Sequence, residues 1–369
     1  MANNPLTMLH ELGQSIWLDY IDRGILNDGT LRTLIDRDRL AGLTSNPAIF
    51  EKAIAHGDHY AEAIAGLHAA QADRETIYEQ LILTDIGHAA DQFLPVYEQS
   101  EGLDGYVSIE VSPLLARDSE ATIAEARELW QRLQRPNIMI KVPGTREGLP
   151  AIARLLADGI NVNVTLLFSV GRYLDVFRVY MDALEARQAA GQPLTTVASV
   201  ASFFLSRIDV KVDALLDALA AGSGPRAELA GRLRGQAAVA SAAFAYQRFL
   251  ETISESRWKN LATAGARPQR LLWASTSSKD PAYSDIKYVE ALIAEQTVNT
   301  LPLQTLDAYR DHGQPALRID QAMDQAPAVL HGLAELGIDM KQVDDELENE
   351  GIDKFIKPYQ SLLATLETL

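Results

Sequence analysis

Short stretches in which apolar and polar residues alternate recur along the chain. Each is followed by a longer stretch whose apolar residues return every three or four positions. The first rhythm is that of a strand, the second that of a helix lying on a core. In Ser15-Ile-Trp-Leu-Asp19, Ile16 and Leu18 share a face and Asp19 lies on the other. Val107, Ile109 and Val111 alternate with Ser108 and Glu110 over residues 106–112. Between Pro136 and Pro143, Ile138, Ile140 and Val142 alternate with Asn137, Met139 and Lys141. Val162, Val164 and Leu166 alternate with Asn161, Asn163 and Thr165. Gly42-Leu-Thr-Ser-Asn-Pro47 reads as a brief strand closed by a turn dipeptide, and residues 195–202, 270–276 and 297–302 as three more strands. Helical patterns fill the intervals, among them 57–98, 119–133, 146–157, 206–221 and 225–256. The clearest is 169–189, where Val170, Tyr173, Leu174, Phe177, Met181 and Leu184 form one stripe. Eight strands, each followed by helical sequence, predict parallel βα units closing into an α/β fold of the (β/α)8 TIM barrel type. An open doubly wound sheet is the alternative, but its glycine-rich turn after the first strand is missing.

Beyond Asp311-His-Gly313 the pattern is helical. Leu330, Leu333 and Leu336 precede Gly337, a helix stop, and Asp339 is placed to cap the next helix. Phe355, Tyr359, Leu362, Leu363 and Leu366 form one apolar face, with Pro358 expected to kink that helix or begin it. The expectation is one domain over 1–369, with a helical extension from about 315 to 369 packed on the barrel and lying over its mouth.

The composition, 47% hydrophobic and 22% charged, allows a large core. The chain has no cysteine, which rules out disulfides, thiolate nucleophiles and thiolate metal sites and suits a reducing compartment. Met1-Ala-Asn-Asn-Pro-Leu6 lacks a basic-then-apolar leader, and no apolar run reaches the ~18 residues of a membrane span. A net charge of −17 argues against nucleic acid and anionic membranes as partners. It leaves room for a phosphorylated small molecule if a few cations gather locally.

Strand parity then singles out the chemistry. The aliphatic faces belong under the helices, so Ser108, Glu110, Lys141, Asn163, Thr165 and Asp19 should point into the barrel. Asp19, Glu110, Lys141 and Thr165 fall near strand C-terminal ends, where barrels carry their sites. Burial disfavours an ammonium and frees the amine as a nucleophile, the kind that condenses with a ketone. Each residue also has a plain structural use. Lys141 can reach water along its stem or pair with Glu110, and Asp19 can pair with Arg23. Asn46 can serve the Asn-Pro turn, and Asn163 and Thr165 can fill the interior. Jointly, two carboxylates, a lysine, two asparagines and a threonine at successive strand ends point to catalysis on a carbonyl.

On these residues the chain resembles the transaldolase family, in its longer bacterial form, over nearly its whole length. The resemblance rests on Trp17-Leu-Asp19, Leu43-Thr-Ser-Asn-Pro-Ala-Ile-Phe-Glu-Lys52, Ser108-Ile-Glu-Val111, Ile138-Met-Ile-Lys-Val-Pro143, Gly159-Ile-Asn-Val-Asn-Val-Thr-Leu-Leu-Phe168 and Val298-Asn-Thr-Leu-Pro302. It implies a cytoplasmic barrel enzyme of the pentose phosphate pathway, a monomer or homodimer, with no metal or organic cofactor. Such an enzyme moves a dihydroxyacetone unit from sedoheptulose 7-phosphate or fructose 6-phosphate to glyceraldehyde 3-phosphate or erythrose 4-phosphate. It further implies Lys141 as the Schiff-base lysine, Asp19 as the base on the donor's C4 hydroxyl, and Glu110 acting through a water held with Thr165. Asn46 and Asn163 would hold the dihydroxyacetone hydroxyls. Family members bind phosphate with a serine and an arginine after the sixth strand, and Ser202 and Arg207 match that spacing. Arg207 can alternatively pair with Asp209 or Asp213. A second family arginine after the seventh strand is absent from Ala274-Ser-Thr-Ser-Ser-Lys279, where Lys279 stands in, helped by Ser275.

Two other readings compete. A fructose 6-phosphate aldolase-like enzyme uses the same lysine and releases free dihydroxyacetone, but such enzymes are shorter and lack the carboxylate at Glu110. A silent barrel used as a scaffold would tolerate loss of Lys141, Asp19 or Glu110, and all three are present.

Overall fold

Eight strands form the centre: β1 (Gln14–Asp19), β2 (Gly42–Thr44), β3 (Tyr106–Glu110), β4 (Ile138–Pro143), β5 (Val162–Leu167), β6 (Ser199–Phe204), β7 (Arg270–Ala274) and β8 (Thr297–Leu301). They lie in sequence order in a closed barrel, all parallel, with β1 hydrogen-bonded to both β2 and β8. The computed structural model describes residues 4–368, so Met1, Ala2 and Asn3, part of the stretch expected to carry no leader, lie outside it. Among the described residues no helix is long and apolar enough to cross a membrane.

Closure follows from the two faces of each strand. Val107, Ile109, Ile138, Ile140, Val142, Val162 and Val164 are essentially fully buried, as strands covered by a helical shell must be. The inward positions stack in layers. Arg270 and Asp104 form a buried ion pair at 2.9 Å, bridged by Ser15, whose hydroxyl donates to Asp104 (2.8 Å) and accepts from Arg270 (2.8 Å). Above it lies the Trp17 ring, pressed against Gly42 so closely that an added Cβ would sit 2.6 Å from the indole. Gly42→Ala should therefore destabilise the fold by about 1–3 kcal/mol through overpacking. A denaturation midpoint unchanged from wild type would show that the indole can yield.

Several local expectations shift. The sixth strand runs Ser199–Phe204 rather than 195–202, because pairing with β5 begins only at Ser199. Residues 225–256 are not one helix: Pro225–Leu233 and Ala237–Ser254 are separated where Gly235 takes φ 74, its N–H donating to Asp213 at 2.7 Å. Pro358 does not begin the last helix, which runs Met340–Leu366 through it with Asp339 as its cap. Leu166 breaks the strand rhythm: β5 slips register between Val164 and Leu167, and Leu166 takes φ 59, a left-handed conformation costly for any residue but glycine. Leu166 lies against Gly351 of the Met340–Leu366 helix rather than continuing the aliphatic outer face. That helix also packs on the Pro47–His56 and Arg74–Gln99 helices.

Candidate active site

The C-terminal ends of the strands open into a cavity lined, among others, by Asp19, Thr44, Asn46, Lys141, Thr165, Ser202, Arg207, Ser275 and Lys279; Glu110 is not part of that lining and lies behind Lys141. Strand register brings the central group together. Lys141 on β4 is paired with Glu110 on β3 and with Asn163 on β5. Lys141 is only 5% exposed, and its Nζ donates to the Ser45 carbonyl at 3.1 Å and to Glu110 Oε2 at 3.4 Å. Arg23 is taken by Asp85 at 3.0 Å, so Asp19 is left for the cavity.

Asp19 accepts a 2.8 Å hydrogen bond from Thr44, whose hydroxyl also lies 2.7 Å from that of Thr300. This anchors one carboxylate oxygen. Desolvation by the surrounding protein raises the Asp19 pKa above the ordinary aspartate value, against the pull of Lys141, Thr44, Arg207 and Lys279. Desolvation raises that of Glu110 as well, and Lys141 is the main opposing influence. Two carboxyls held near one amine with raised proton affinity are suited to moving protons at moderate pH. Glu110 Oε1 and Thr165 Oγ1 are buried and have no hydrogen-bond partner among the described residues. Each retains the capacity to hold a water or a substrate hydroxyl.

Asn46 and Asn163 behave differently. Asn46 has extended backbone, as a residue before proline must, and its Oδ1 caps the Pro47–His56 helix by accepting from the N–H groups of Ala48 (3.0 Å) and Ile49 (3.1 Å). The turn reading and the binding reading are therefore compatible: capping orients the amide, and the residue still lines the cavity. Asn163 lies one layer down, fully buried, accepting from Ser202 at 2.7 Å and donating to Ser108 at 3.0 Å. It does not line the cavity; Ser202 does. Ser202 itself sits within β6, not after it, and its hydroxyl hydrogen is directed at Asn163.

At the other end of the cavity the cations gather. Arg207, in the first turn of the Ser206–Ala220 helix, has no ion-pair partner among the described residues. Asp209 instead binds Lys287 (2.7 Å) and Tyr288 (2.9 Å), and Asp213 binds Tyr283 (2.7 Å). The Arg207 guanidinium lies between the rings of Phe204 and Phe355, at 5.2 and 5.8 Å from their centroids. Burial pushes its pKa down, and that of Lys279 likewise, with Arg207 as the next cause for Lys279. Ser275 takes φ 56 and its hydroxyl meets that of Ser206 at 2.9 Å. Two cations with no ion-pair partner among the described residues thus line one cavity beside a helix N-terminus, in a chain of net charge −17.

Lys52, Ser277, Lys354 and Phe355 also line the cavity and were not anticipated as site residues. Lys52 follows Ala48 and Ile49 by one helical turn, so helical phase alone places it on their face. Phe355 read only as part of an apolar stripe; nothing in its own segment says that the stripe meets a lysine.

Residues 16–366 match the family described as Transaldolase/Fructose-6-phosphate aldolase. Among similar proteins is the transaldolase of Trichodesmium erythraeum, 48% identical over 373 aligned positions, spanning 100% of this chain and 98% of that one. The transaldolase of Thiobacillus denitrificans is 50% identical over 96% of this chain and 97% of its own length. That of Thermobifida fusca is 47% identical over 98% and 96%. Identity at this level, end to end, on a closed barrel with a buried lysine between two carboxylates, makes this chain a member of the transaldolase/fructose-6-phosphate aldolase family.

Proposed function

We propose that the chain acts as a transaldolase, carrying a dihydroxyacetone unit on Lys141 from a ketose phosphate to an aldose phosphate. The observation that carries this reading is the Lys141 amine, buried 3.4 Å from Glu110 at the wall of a cavity that Asp19 and Arg207, without an ion-pair partner among the described residues, also line. The amine adds to the donor's C2 carbonyl, and loss of water leaves an iminium. Glu110, through a water held with Thr165, moves the protons of addition and dehydration. Asp19 takes the proton of the C4 hydroxyl; the C3–C4 bond breaks, its electrons pass into the iminium, and the aldose leaves. The resulting enamine attacks the acceptor aldehyde, Asp19 returns the proton, and water releases the new ketose. Asn46, oriented by its cap, holds a dihydroxyacetone hydroxyl. Asn163 contributes through its remaining amide hydrogen and by fixing Ser202. Arg207 and Lys279, with Ser275, take the phosphate, Arg207 as the fork and Lys279 as the point charge. The whole chain works as one unit, because residues near both of its ends line the cavity, and the lack of cysteine supports a reducing, cytoplasmic setting.

Incubation with fructose 6-phosphate and borohydride, followed by peptide mass mapping, tests this directly. A reduced three-carbon adduct on Lys141 is expected, and a protein that turns over substrate without one uses another mechanism. Turnover should also depend on an aldose acceptor. Steady release of free dihydroxyacetone without acceptor would favour the aldolase activity named in the same family.

The pH dependence follows from Asp19. As a base it works only when ionised, and its pKa is raised, so activity should be lost on acidification at a higher pH than an exposed aspartate would set. The effect on stability has the opposite sign. A carboxyl whose folded pKa is raised binds its proton more tightly when folded, so its unfavourable contribution, present above the folded pKa, disappears as pH falls through it. A rate profile whose acid limb coincides with that of an ordinary aspartate would remove Asp19 from the role.

A further inference from the structure

The Met340–Leu366 helix contributes Lys354 and Phe355 to the cavity wall, with the Phe355 ring centroid 5.6 Å from Lys141 Nζ and 5.8 Å from Arg207 Cζ. Phe355 is 4% exposed, so this position is packed and not incidental. The seat is close-fitting. Gly351, one turn earlier, is closely packed: a Cβ there would come within 2.9 Å of the tip of Leu166 and into ordinary contact with Phe168 (3.5 Å) and the Arg207 guanidinium (3.6 Å). Leu166 in turn is the left-handed residue immediately after Thr165. The helix therefore rests on the strand that carries Thr165, and its aromatic ring lies beside both the amine and the Arg207 guanidinium.

An enamine waiting for an acceptor has a competing fate. A proton added at C3 and one water at C2 of the iminium break the C–N bond, return the amine and release dihydroxyacetone. A transferase has to exclude that water during the interval between donor and acceptor. Phe204 covers Arg207 from one side, and Phe355 is the side chain that reaches from Arg207 to Lys141.

We propose that Phe355 is a positioning residue that makes this enzyme a transferase, screening the Lys141 adduct from water while holding Arg207 for the phosphate. This rests on the Schiff-base reading of Lys141. The test measures free dihydroxyacetone from fructose 6-phosphate without acceptor, relative to transfer with acceptor, in the full-length wild type, Phe355→Ala and Phe355→Gln. Both variants should raise that ratio at least ~10-fold. Both should also raise KM for fructose 6-phosphate more than they lower kcat, because Arg207 loses one of its two aromatic faces. Glutamine keeps the helix and much of the volume, so it carries the test if the alanine variant does not fold. A ratio within about twofold of wild type in a folded variant that still forms the borohydride-trapped Lys141 adduct overturns the inference. Absence of the adduct in wild type overturns the Schiff-base reading instead.

Discussion

Lys141→Ala should lower turnover by on the order of 10^4-fold or more and eliminate the borohydride-trapped adduct, because no addition step can occur without the amine. Lys52 and Lys354 also line the cavity, yet neither has the strand register that sets Lys141 beside Glu110. An adduct of undiminished yield on either of them would defeat the assignment. The same substitution has an electrostatic consequence. Lys141 is the largest influence opposing the desolvation of both Asp19 and Glu110. Without it both carboxyls should shift further upward and take protons rather than remain charged. Lys141→Met, which keeps most of the stem volume, separates that effect from cavity formation: it should retain the wild-type melting temperature more closely than alanine does while remaining inactive.

Asp19→Asn should leave Schiff-base formation in place and slow carbon–carbon cleavage by roughly 10^2- to 10^4-fold, the usual worth of a positioned general base. The asparagine Oδ1 can still accept from Thr44, so the side chain stays anchored where Asp19 accepts at 2.8 Å. The mass of the trapped species is the decisive measurement. Wild type should trap the three-carbon fragment, whereas Asp19→Asn should trap the intact hexulose phosphate, because the adduct forms and then cannot break. Trapping of the three-carbon fragment at the wild-type rate would show that another group takes the C4 proton. Glu110 is the natural candidate, since it lies against the same amine.

The alternation along the strands predicted the barrel, because a residue's face on a strand is set by parity and a one-residue error would turn its aliphatic set into the polar barrel interior. The same parity put Asp19, Glu110, Lys141 and Thr165 on the inner side near the strand ends, where the structure has them. It was less informative where backbone geometry departs from the ideal. Leu166 reads as one more aliphatic position, yet its left-handed backbone turns it toward Gly351. Ser202 reads as the last residue of a strand, yet the strand continues two residues beyond it to Phe204 and its hydroxyl serves Asn163.

What the sequence determined by itself was the set of βα units, the inward polar face and the family, all of which depend on residues near one another in the chain or on a matching pattern. What only the tertiary structure decided was which charges remain unpaired and what covers them. Whether Arg207 meets Asp209 or an open cavity depends on Lys287 and Tyr288, which are remote in the chain and take that carboxylate. Whether Lys141 faces solvent or an aromatic ring depends on a helix that starts at Met340. Such contacts are set by packing between distant segments, and local periodicity carries no record of them.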